Sequence, residues 1–92
     1  MARVLHLTFH QDPGHGWLEV DRILLSGLNL NISPFSYQKN LKNGDGGKVF
    51  LEEDRDMTLF LHALSSKGIE VVLNTKRLNR DHYIRNYESY KP

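Results

Sequence analysis

From Arg3 to His10 the chain alternates, with Leu5, Leu7 and Phe9 on one side and His6, Thr8 and His10 on the other. That period of two predicts a half-buried strand. The stretch QDPGHG, residues 11–16, interrupts it. Pro13 fixes φ and lacks a donor, and Gly14 and Gly16 suit a reversal with positive φ. WLEV resumes the alternation, so residues 3–20 predict a hairpin. Asp21 is placed to cap a short helix over RILLSG, residues 22–27, with Ile23, Leu24 and Leu28 on one face and Gly27 at its end. Phe35 and Tyr37 alternate with Ser36 and Gln38 in a third strand. The polar run KNLKNGDGG, residues 39–47, predicts a loop, and KVFLEE a fourth strand, together a second hairpin.

The strongest helix signal is DRDMTLFLHALSSKG, residues 54–68, where Met57, Phe60, Leu61 and Leu64 follow the i, i+3, i+4, i+7 rule and Gly68 can end the element. IEVVLNT predicts a fifth strand. A turn or two of helix around Tyr83, Ile84 and Tyr87 would close the chain. The order is ββαββαβ plus a C-terminal tail. The economical architecture is a single α+β domain over residues 1–92: a mainly antiparallel five-stranded sheet with two helices on one face.

Composition narrows the function classes. At 92 residues, 39% hydrophobic and 25% charged, the chain fits one modest core, which lowers the expectation of a deep catalytic cleft. Without cysteine there is no disulfide framework, thiolate metal site or cysteine nucleophile. The opening residues lack the continuous apolar core of a signal peptide, and no run reaches membrane-spanning length, so a cytoplasmic location is expected. Residues 76–92 carry five basic groups against two acidic ones, net +3; the remaining seven basic and nine acidic residues give the body −2.

DPGHGWLEV near the start, a SYQ strand, VFLEEDRD before a helix and IRNYESY at the end resemble a family of small uncharacterised accessory proteins of phages, prophages and plasmids. The resemblance covers nearly the whole chain. It implies a mobile-element setting, a class that includes inhibitors of host defence, and it carries no catalytic residues.

Read for chemistry, His10, Asp12 and His15 offer two imidazoles and a carboxylate to a divalent metal in a hydrolase, but their spacing fits no standard motif, and a simple turn explains them better. A histidine beside Asp12 or Glu19 would make an oriented acid–base pair, yet no serine stands in a catalytic context. GDGGK lacks phosphate-loop spacing and precedes a strand. Glu52, Glu53, Asp54 and Asp56 suit a helix N-terminus as well as a cation. No cofactor is called for.

The favoured reading is a non-enzymatic protein that binds a host or phage protein, as monomer or homodimer, and inhibits a host defence complex. Its contacts would be His10, His15 and Trp17 at the hairpin, where Trp17 shares a strand face with Glu19 and would stand exposed unless the tail or a loop folds over it, the outcome a monomer favours, with Arg80, Tyr83 and Arg85 of the tail. The alternative is a nucleic-acid-binding module using Arg77, Arg80, Arg85, Tyr87 and Lys91. Against it stands a structural reading in which Tyr83, Ile84 and Tyr87 pack on the body and the arginines pair with carboxylates.

Overall fold

The alternating segments pair as the pattern predicts. The computed structural model describes residues 3–39 and 47–92 and holds β1 (Arg3–Gln11), β2 (Gly16–Asp21), α1 (Arg22–Ser26), β3 (Tyr37–Lys39), β4 (Lys48–Glu52), α2 (Asp56–Ser66), β5 (Ile69–Arg77), a 3-10 turn (Tyr83–Asn86) and β6 (Glu88–Ser89). Most of the expected 39–47 loop, with the GDGGK run, lies outside the described residues.

The strands form one sheet in the order β5-β1-β2-β4-β3-β6. It is mixed and six-stranded, where five mainly antiparallel strands were expected. The difference has two causes. β4, α2 and β5 make a crossover that lays β5 parallel to β1, Arg3 beside Ile69 through Gln11 beside Arg77. The tail supplies a sixth strand, pairing Tyr37 with Ser89 and Gln38 with Glu88.

The helices share one face. Phe9, Leu18, Val20, Val49 and Leu51 point from the sheet toward Leu25 of α1 and Phe60 and Leu64 of α2, the main core. Gly68, with φ 74°, ends α2 in the left-handed conformation that suits glycine, its N–H bonding the Ser65 carbonyl. Gly14 and Gly16 do not take up positive φ; among the described residues that falls to Asn29, Gly47 and Gly68. Gly16 is required for space instead: a Cβ there would stand 2.2 Å from Phe9 Cζ.

The tail covers the part of the opposite face formed by β2, β4 and β3. Trp17, Phe50 and Ile84 are buried together, with Tyr37 and Tyr87 packed against them. None of the described helices is long and apolar enough to cross a membrane.

Candidate functional site

Asp12 organises the first hairpin. Its Oδ1 accepts from the N–H groups of Gly14 and His15, each at 2.9 Å, which folds the loop back on itself. The same carboxylate reaches seventy residues along the chain, accepting from the His82 N–H at 2.9 Å and from Arg85 Nε and Nη2 at 2.7 and 2.9 Å. Its side chain is fully buried. The Arg85 guanidinium is the main reason the Asp12 carboxyl lies far below the usual carboxylate range; burial opposes this, and the backbone donors at His82, His15 and Gly14 add to it. DPGH is therefore a clasp that fixes the tail.

Under the clasp lie the two imidazoles that reach the interior. His10 Nε2 bonds Glu19 Oε1 at 2.8 Å, and its ring stands 5.0 Å, edge to face, from that of His82. His82 Nδ1 accepts from the Ile84 N–H at 3.1 Å, capping the 3-10 turn, so its remaining proton belongs on Nε2. Burial first, then the neighbouring His10, pushes the His82 pKa below its ordinary value, with Asp12 opposing.

Trp17, offered by the sequence as an exposed anchor or as a residue under the tail, is 2% exposed. Arg85 lies over its ring at 5.2 Å and Tyr37 meets it edge-on at 6.2 Å. The solvated-face expectation fails because the tail covers the Trp17–Glu19 side of β2. His10 is likewise buried, whereas His15, Arg80 and Tyr83 are exposed.

Between this wall and the entrance to α2 runs an open groove of about 440 Å3. Trp17, Tyr37 and Arg85 line it from the sheet side, His15 from the hairpin, and Asp54 and Arg55 from the turn before α2. Glu52 and Phe35 complete the lining, and Phe35 is 76% exposed, the most exposed of the large hydrophobic side chains in the described residues. It was read in sequence as a strand residue; Pro34 and Ser36 instead place it at a turn.

The turn is anchored from below. Asp56 is buried and accepts from Ser33 N and from the Ser33 and Ser36 hydroxyls, the latter two at 2.6 Å. Arg55 Nη1 also reaches it at 2.9 Å. Glu52 accepts from the N–H groups of Asp54, Arg55 and Asp56, satisfying the start of α2. Glu52 and Asp56 of the acidic run are thus spent on structure, and the turn that carries Phe35 is tied to the start of α2.

His10, Asp12 and His15 do not assemble as metal ligands: Asp12 is saturated by N–H donors and His10 turns to Glu19. No group of three or more His, Asp or Glu among the described residues is arranged to hold a metal ion. The basic tail residues are dispersed. Arg77 bonds Gln11 Oε1 at β5, Arg85 belongs to the clasp, and Lys91 pairs with Glu88 beside β6. β5 and β6 are the two edges of the sheet, separated by about 24 Å at the usual strand spacing. Tyr87 packs on Phe50, ring centroids 5.3 Å apart. Compared with protein-family models, curated proteins and solved structures, the chain matches none.

Proposed function

We propose that the chain is a non-enzymatic binding protein that grips another protein at the groove between the hairpin clasp and the α2 entrance. The observation that carries this reading is Phe35, a bare aromatic side chain at the rim of an aromatic-lined groove. Its turn is tied to buried Asp56 through Ser33 and Ser36. A rigid exposed aromatic beside a recess is the usual form of a binding hot spot, since it buries much area for little lost side-chain entropy. The groove is large enough for one or two partner side chains. His15, Asp54 and Arg55 offer polar contacts of both signs around it.

The polar groups that would serve a reaction are engaged elsewhere: His10 with Glu19, His82 with Ile84, Asp12 with Arg85. The family resemblance adds a setting to the proposal, a mobile-element protein that blocks a host defence complex by occupying part of its surface.

Affinity capture from the cells that express the chain, followed by mass spectrometry, tests this. Phe35→Ala should lose the captured partner while circular dichroism and melting stay unchanged. Ile23→Ala, an equally exposed apolar position on α1, should retain it. Retention by the Phe35 variant would refute the groove as the contact surface.

A further inference from the structure

β5 ends the sheet, and among the described residues nothing pairs with its outer side. It is nine residues long, and its centre, Val71 to Thr75, carries no charge, proline or bulge. Those are the devices by which edge strands are ordinarily kept from pairing. Its two halves also differ. Ile69 and Val71 are half-buried against the helix-side core, whereas Leu73, 40% exposed, and then Thr75 and Arg77 lie bare on that same side. On the other side Val72 is 46% exposed.

We propose that two copies of the chain pair through β5, antiparallel about a twofold axis normal to the sheet at Leu73, making one continuous twelve-stranded sheet. A twofold axis in this orientation keeps the helices of both copies on one side and sets odd positions against odd. Centred on Leu73, all nine residues of each strand are paired, Ile69 with the partner's Arg77. The covered half of each strand comes beside the bare half of the other. Leu73 meets its own counterpart on the axis. Glu70 falls directly opposite the partner's Lys76, twice by symmetry, and neither side chain has an ion pair among the described residues. Sliding the strands in either direction shortens the ladder and separates these charges. The register is therefore written in the strand itself.

Sedimentation velocity on the purified chain over two decades of concentration provides the test. The wild type should pass from monomer to dimer as concentration rises, with amide exchange in β5 slowing in step. Glu70→Lys or Lys76→Glu sets like charges opposite each other at both symmetric pairs and should weaken the dimer by about tenfold or more. The double variant Glu70→Lys/Lys76→Glu should restore it. Leu73→Asp should give a monomer with unchanged circular dichroism. A wild type that stays monomeric throughout would overturn the proposal. So would a dimer indifferent to both charge reversals, since its contact would lie elsewhere, or β5 amides protected only when an added peptide fills the edge.

Discussion

Asp12 shows how far one side chain can determine the use of a motif. A carboxylate between two histidines at a glycine-rich bend has the composition of a reactive centre, yet its five hydrogen bonds are all to N–H donors of the loop and the tail. Replacing it by alanine strands the Gly14, His15 and His82 donors together. The loss should be at least about 2 kcal/mol, measurable by urea denaturation. Gly16 serves packing. Its role is to admit the Phe9 ring, so Gly16→Ala should cost about 1–3 kcal/mol through overpacking. Phe9→Leu in the same chain should recover part of that loss, a coupling a double-mutant cycle would read.

His82 brings pH into the same cluster. Docking holds it neutral with a lowered pKa, so the undocked tail binds more protons once the pH falls below the ordinary value of 6.5. The stability it contributes is complete above that value and declines as acid takes the pH through 6.5 toward the lowered value. Melting temperatures measured from pH 8 down to pH 5 should fall along that course. His82→Asn, which keeps an acceptor for Ile84 but no titrating ring, should flatten the decline. Asp12, whose pKa is held below its ordinary value of 3.8, contributes stability that is complete above that value and is lost as the pH falls below it, outside the window in which His82 acts.

At the level of elements, alternation placed β1 and β2, the glycine-rich loop before it marked β4, β-branched content marked β5, and the 3.6-residue period placed α2. The parallel pairing of β1 with β5 was not legible. It rests on a crossover that brings Arg3 to Ile69, and no local pattern distinguishes a strand paired in parallel from one paired antiparallel. The tail was legible in part. Ile84 and Tyr87 do pack on the body, as their apolar spacing suggested, and the arginine that pairs is Arg85, though with Asp12 rather than with the acidic run.

Trp17 shares a face with Glu19, which left its exposure open between a solvated anchor and a residue under the tail; its cover arrives from residues 82–87. Phe35 was missed as a site residue for the converse reason: inside an alternating run it reads as strand, and only the Ser33 and Ser36 bonds to Asp56 make it the tip of a turn. Trp17→Ala should therefore act on stability, costing about 3–5 kcal/mol and loosening the tail, instead of acting selectively on partner binding.

For the whole molecule, helices cover one side of the sheet and the C-terminal segment covers part of the other, and two surfaces of the described residues are proposed for other chains. One is the groove at the clasp; the other is the free edge of β5. They lie on different parts of the sheet, so partner capture and self-association should respond to separate substitutions: Phe35→Ala should leave sedimentation unchanged, and Leu73→Asp should leave a groove-bound partner in place.

At the centre of the molecule the hairpin loop clasps the tail over the tryptophan. Trp17 is the single tryptophan of the chain, so acrylamide quenching of its fluorescence reports directly on that cover. The native chain should show blue-shifted emission and weak quenching, with both lost in Asp12→Ala. Ready quenching in the native chain, or an Asp12 variant as well protected as the native one, would contradict the account.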